Sequence, residues 1–148
     1  MIGTEQRLWR IMKTETDLTP HKFTRIETST VEGVADVEYV AHPWQGWIEL
    51  KTANLPRIGR AFFLHSPFTL AQCSWLLAHD APKYHMRSWL LLGLIGSRTW
   101  KGFVLFPATM TTHLLHVRKS PAHDWLLNRK GVKLCTKMHE VVQLLSDH

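Results

Sequence analysis

Apolar and polar positions repeat along this chain with two different periods. Leu8, Ile11 and Met12 recur at helical spacing behind Thr4, which predicts a Thr4-capped helix ending before Pro20. Residues 23–28 (FTRIET) alternate and predict a short strand, followed by a turn-like connection over 29–33. Residues 37–40 and 46–51 predict two strands around AHPW, with Pro43 barring a single continuous one. Ser66-Pro67 offers an N-cap followed by Pro at the first helical position, opening a helix through FTLAQCSWLLAH. SWLLLGLIG and WKGFVLF predict two more strands joined around Gly96-Ser97-Arg98. A second Ser-Pro start, Ser120-Pro121, opens a predicted helix through AHDWLLNRK that stops at Gly131. Finally, Leu134, Met138, Val141, Val142 and Leu145 fall on one helical stripe. This order of elements predicts a mixed α/β domain, α-β-β-β-α-β-β with helices after it.

The predicted hairpin raises a chemical question, because it places acids and a base in an apolar run (GVADVEYVAHPWQGWIELK). With AHPW as a four-residue loop, Val40 pairs with Gln45, and stepping back along the ladder sets Asp36 opposite Glu49. Opposed side chains on an antiparallel pair sit about 4.5–5.5 Å apart at Cβ, where like charges destabilise. The strand period of two also puts Trp47, Glu49 and Lys51 on one face, with Ile48 and Leu50 free to pack on the other. Two opposed carboxylates need an offset: a shared proton, a flanking lysine or a divalent cation. Mg²⁺ suits one or two carboxylates completed by waters and phosphate oxygens. Lys51 beside such a cation would hold a water or stabilise the charge of a pentavalent phosphate. A Lewis acid, an activated water and a fixed cation are the parts needed to cut a phosphodiester.

Composition adds a partner and a compartment. The 148 residues carry a formal charge of +6 and ten histidines, with a sequence pI near 9.6. That balance favours a polyanion such as nucleic acid. At 45% hydrophobic and 20% charged residues, wholesale disorder is excluded. No apolar run reaches the roughly 20 residues that span a bilayer, so no membrane is expected. The N-terminal MIGTEQRLWR lacks an apolar signal region, and two cysteines fit a reducing compartment, so the expected location is cytoplasmic. Lys22, Arg25, Arg57 and Arg60 are the candidate phosphate contacts.

Asp36, followed after twelve residues by Glu49-Leu50-Lys51, resembles the D…(D/E)xK core of the PD-(D/E)xK nuclease superfamily. Glu5 on an N-terminal helix, the strand with Arg25-Ile26-Glu27, Gly33 ahead of the Asp, and WIELK resemble the small phage-type nucleases. These are akin to the virus-type replication–repair (VRR-NUC) nuclease domain and to archaeal-type Holliday junction resolvases. Gln72 and Trp75 are similar to the Q-x-x-W of the former group. The resemblance covers residues 4–106, and 107–148 would be a C-terminal helical extension of the same single domain. It implies a restriction-endonuclease-like mixed central sheet flanked by helices. It also implies that Asp36 and Glu49 bind Mg²⁺, with Mn²⁺ able to substitute, and that Lys51 is the catalytic lysine. Glu5 or Glu27 would supply a further acid, and Gln72 would orient groups in the site. Ala35 stands where the family usually has Pro. The expected activity is Mg²⁺-dependent endonucleolytic cleavage of branched DNA such as a Holliday junction, by a homodimer. The alternatives are a same-fold nuclease acting on flaps, ends or linear duplex, and a non-catalytic DNA-binding protein of this fold.

Two further spacings invite a metal reading. His113-x-x-His116 and Cys135-x-x-x-His139 have helical ligand spacing, but two cysteines and scattered histidines are weak grounds for zinc. The seven tryptophans are expected in the core or an interface, with Trp44 exposed at the hairpin tip.

Overall fold

The computed structural model describes residues 3–27, 31–55, 61–115, 122–123 and 129–147, with 61–62 and 122–123 described by backbone alone. Helix α1 (Thr4–Thr16) is followed by strands β1 (Lys22–Arg25), β2 (Val37–Ala41), β3 (Trp44–Asn54) and β4 (Ala61–Phe62). Helix α2 (Leu70–Ala78), strands β5 (Trp89–Gly96) and β6 (Thr99–Pro107), and a 3₁₀ segment (Ala108–Leu114) come next. Strands β7 (Ala122–His123) and β8 (Lys133–Cys135) and helix α3 (Met138–Ser146) complete the order. The main sheet runs β1-β2-β3-β5-β6-β8, with only the β3–β5 pair parallel; α2 lies on the crossover between them. This is the mixed α/β sheet flanked by helices that the pattern predicts.

The sheet has a core on each face, and the period of two decides which residue joins which. Ile48 and Leu50 of β3 and Leu91 of β5 pack with Leu8 and Met12 of α1 and Val141 and Leu145 of α3. Ala53, Leu90, Leu92 and Phe106 pack on the other face with Cys73 and Leu76 of α2 and Leu114. Trp47 joins this second layer and Trp44 packs, half-buried, on the first, so the hairpin tip does not expose its tryptophan. Among the described residues no helix is long and apolar enough to cross a membrane.

Several boundaries differ from the predicted ones for local reasons. Thr4 does not cap α1: Gly3 is the N-cap, and the Thr4 hydroxyl instead bonds Glu5 and Thr52. The hairpin turn is shorter than predicted, because Ala41 pairs with Trp44 across a cis His42–Pro43 bond; the register is the same. α2 starts at Leu70, not after Ser66, because Thr69 and Gln72 form a reciprocal capping box. Ala122–His123 is a strand paired with β4 where a helix is predicted, while 124–128 lie outside the described residues. Leu134 leaves the α3 stripe: it sits on β8, 58% exposed, while the alternate residue Cys135 points into the core. The C-terminal segment thus ends in the predicted helix but also adds an edge strand.

Candidate functional site

The site forms where the sheet opens along one edge of β3. β2 pairs with β3 only as far as Val37↔Ile48. Further along the same edge, Leu64 bridges Ala53 and the His65 amide donates to the Thr52 carbonyl at 2.8 Å. Between these two partners the β3 edge pairs with no strand among the described residues, and a side chain takes over: Asp36 Oδ2 accepts the Leu50 amide at 2.9 Å. Asp36 therefore ends the ladder at the place where the register sets it opposite Glu49. Its own carbonyl accepts from the Ile26 amide at 2.8 Å, which ties the end of β1 to the same point.

Gly33 makes the approach to Asp36 feasible. Its φ is +83°, and a Cβ there would lie 2.6 Å from the Ala71 carbonyl carbon and oxygen. Only glycine lets this loop adopt the left-handed turn and touch the α2 backbone. Ala35, in place of the Pro of the resembled family, is buried in the α2-side core.

Glu49 and Lys51 are 2% and 4% exposed, which is rare for charged residues unless they have partners. Glu49 Oε1 accepts from Gln72 Nε2 at 3.3 Å; Oε2 is buried with no hydrogen-bond partner among the described residues. Burial pushes the Glu49 carboxyl well above the usual carboxylate range. The Asp36 charge adds to this, while Lys51 and Arg25 act against it. Gln72 serves two structures at once, since its Oε1 accepts from the Thr69 amide in the capping box at 3.0 Å. The N-terminal turn of α2 thereby holds Glu49.

Lys51 points to the other end of the opening. Its Nζ donates to Ser66 Oγ at 3.2 Å and to the Pro67 carbonyl at 2.9 Å. Ser66 in turn donates to Glu5 Oε1, and Glu5 Oε2 accepts from Thr4 at 3.0 Å. Burial alone would raise the Glu5 carboxyl, but the bonds from Ser66 and Thr4 and the nearby Lys51 charge hold it below its ordinary value.

A cavity of about 560 Å³ opens over Asp36, lined also by Arg25, Glu27, Gly33 and Gln72 among others. Arg25 Nη2 lies 4.0 Å from Asp36 Oδ1, and its Nη1 is buried with no partner among the described residues. Glu27 stands exposed at the cavity wall, and Lys22 is exposed on the edge strand β1. Arg57 and Arg60 lie outside the described residues.

The fold thus brings Asp36, Glu49, Gln72 and Arg25 together, with Lys51 and Glu5 joined through Ser66. No group of three His, Cys, Asp or Glu side chains is close enough to hold a metal ion among the described residues. Asp36 and Glu49 are a two-carboxylate set, and neither Glu5 nor Glu27 completes a third corner. Such a pair fits a Mg²⁺-like cation, which keeps several waters and takes phosphate oxygens as further ligands. The unpartnered, buried Glu49 Oε2 is the atom that asks for one. The helical zinc spacing is not kept for Cys135 and His139, which lie on β8 and α3; His113 Nε2 sits 3.3 Å from Arg129 Nη1, and His116 lies outside the described residues. Sequence reasoning missed Ser66 and Pro67 as partners of Lys51, because Ser-Pro is a helix-start signal and a backbone carbonyl acceptor leaves no mark in side-chain pattern.

No family model matches the chain, and no curated protein does. Among solved structures, the chain is similar in fold to Hjc, a Holliday junction resolvase from Archaeoglobus fulgidus, an archaeal hyperthermophile. The two are 17% identical, the match covers 71% of this chain and 78% of the other, and the TM-score is 0.48.

Proposed function

We propose that this chain is a divalent-metal-dependent nuclease that hydrolyses DNA phosphodiesters. The observation that carries the reading is the buried Glu49 carboxyl, one oxygen unpartnered among the described residues, set against Asp36 and two residues from the buried Lys51. A bound divalent cation supplies Lewis acidity toward a phosphate oxygen and makes water more acidic. Asp36 and Glu49 hold it, and Gln72 keeps Glu49 turned toward it. Lys51, fixed by Ser66 and Pro67, sets a compact positive charge where the phosphate gains negative charge in the transition state. The Arg25 guanidinium, at the cavity wall, offers donors to a phosphate oxygen. Lys22, Arg57 and Arg60 extend the contact along the backbone, in keeping with the +6 charge.

The favoured substrate is branched DNA of the Holliday-junction kind, cut by a homodimer whose two sites match its near two-fold symmetry. Labelled junction, flap and linear duplex, incubated with and without Mg²⁺, test both parts. Cleavage of the junction in preference to duplex, lost in EDTA and in Asp36→Asn, is the expected result. Asp36→Asn keeps the fold, because the asparagine oxygen still accepts the Leu50 amide. Equal cutting of all three substrates, or a monomer by mass with and without DNA, moves the reading to ends or flaps. Full activity of Asp36→Asn or in EDTA refutes it, and binding without cutting by the wild type leaves a DNA-binding module.

A further inference from the structure

Lys51 cannot do its work from a flexible stem, and the structure shows what holds it. An ammonium has three donors and no acceptor. Two of them go to Ser66 Oγ and the Pro67 carbonyl, at 3.2 and 2.9 Å, which leaves one for a phosphate. A serine hydroxyl has one proton to give and lone pairs to offer. Here the proton goes to Glu5 Oε1, so the lone pairs of Ser66 are turned to the lysine. Both Glu5 oxygens are engaged, by Ser66 and by Thr4, and the Thr4 hydroxyl also meets Thr52 at 2.5 Å. Thr52 and Thr4 contact His65 Nδ1 at 2.9 and 3.4 Å, and His65 Nε2 meets Asn54 Oδ1 at 3.2 Å. The first turn of α1, the end of β3 and the 65–67 segment are thereby joined in one polar network behind the lysine.

Resting on the nuclease reading above, we infer that Ser66 and Glu5 are positioning residues that orient the Lys51 ammonium, and that Glu5 acts through Ser66 and not as a cation ligand. Glu5 does not join Asp36 and Glu49 in a three-ligand group, and its carboxylate is spent on two hydroxyls. The charge chain runs acid, hydroxyl, ammonium, phosphate. Each member fixes the direction of the next.

Two measurements on the full chain decide this. The first does not depend on activity: the side-chain ammonium signal of Lys51 in ¹⁵N–¹H spectra, assigned by its loss in Lys51→Arg. A hydrogen-bonded ammonium exchanges slowly enough to be seen. The signal is expected to stay in place in Ser66→Thr, which keeps the hydroxyl, and to shift and broaden in Ser66→Ala and Glu5→Ala, where the Pro67 carbonyl alone directs the ammonium. The second is single-turnover cleavage at saturating DNA. Ser66→Ala and Glu5→Ala should each be slower by about ten- to a hundredfold, the range of one hydrogen bond to a charged group. The double variant should be no slower than either, since both break one chain. DNA affinity in Ca²⁺ and the Mg²⁺ concentration for half-maximal rate should stay as in the wild type. An unchanged Lys51 signal in Ser66→Ala overturns the inference. So does a Glu5→Ala protein that keeps the signal and needs more Mg²⁺, which would make Glu5 a cation ligand. A wild type that cuts no DNA refutes the nuclease reading alone, because the spectra still report whether Ser66 and Glu5 hold the lysine.

Discussion

Replacing Glu49 by glutamine should make the cation-free protein more stable at neutral pH, and the gain should grow with pH. In the fold, burial first, and then the charge of Asp36, hold the Glu49 proton on well above the usual carboxylate range. In the unfolded chain the same group ionises near its ordinary value of 4.5. Between those two points the native state binds more protons than the unfolded state, so stability falls as pH rises. The slope approaches about 1.36 kcal/mol per pH unit for a single group, and it levels off once pH passes the raised native value. For a domain of this size that is about 3–5 °C in Tm per pH unit. Glutamine keeps the shape and an oxygen for the Gln72 amide, but has no proton to lose. Thermal unfolding of both proteins in chelator across the acid-to-neutral range measures the difference, which cancels the contributions of the ten histidines. Adding Mg²⁺ should narrow the gap from the wild-type side, because a cation at about ten times its dissociation constant stabilises the native state by about 1.4 kcal/mol. Glu49→Gln, with one ligand charge gone, should gain much less. Parallel Tm curves for the two proteins in chelator would show that Glu49 titrates as an ordinary carboxylate, and the argument from opposed buried acids would fail.

Lys51→Ala should slow single-turnover cleavage by orders of magnitude with little change in DNA affinity in Ca²⁺, since the ammonium acts chiefly on transition-state charge. Changing Arg57 and Arg60 together should do the reverse, weakening binding and its salt dependence while sparing the rate at saturating DNA. Gly33→Ala should cost about 1–3 kcal/mol or more in urea unfolding, from the positive φ and the clash with the Ala71 backbone; a cost near zero would mean that this loop shifts freely. Gln72→Ala should lower both stability and cleavage, because one side chain caps α2 and holds Glu49; an effect on stability alone would detach it from the site.

The hairpin and the faces its charged side chains take could be read from sequence because they depend on local rules. A strand period of two puts Glu49 and Lys51 on one side and Ile48 and Leu50 on the other, wherever the strand ends up. The turn at Pro43 sets the register, and a loop shortened from four residues to two leaves every pair in place. Leu8 and Met12 faced the core as their helical spacing required, and so did Val141 and Leu145. What sequence could not supply was the partner on the far side of each polar group. Ser66-Pro67 carries a helix-start signal, yet Thr69 captured the cap, and the serine and the proline carbonyl were drawn to Lys51 by its buried charge. Leu134 fits the helical stripe of α3 by spacing, but the open edge of β6 offered its backbone a ladder, and pairing with that edge outweighed the spacing. Glu5 and Glu27 are equivalent acids on paper. Only the packing of α1 across the end of β3 turned one to Ser66, while the bend after β1 left the other at the cavity wall. Local periodicity determines which face a residue occupies, and that much the sequence holds by itself. Which groups meet across distant segments is decided when burial leaves each donor and acceptor to find a partner, and only the tertiary structure contains that outcome.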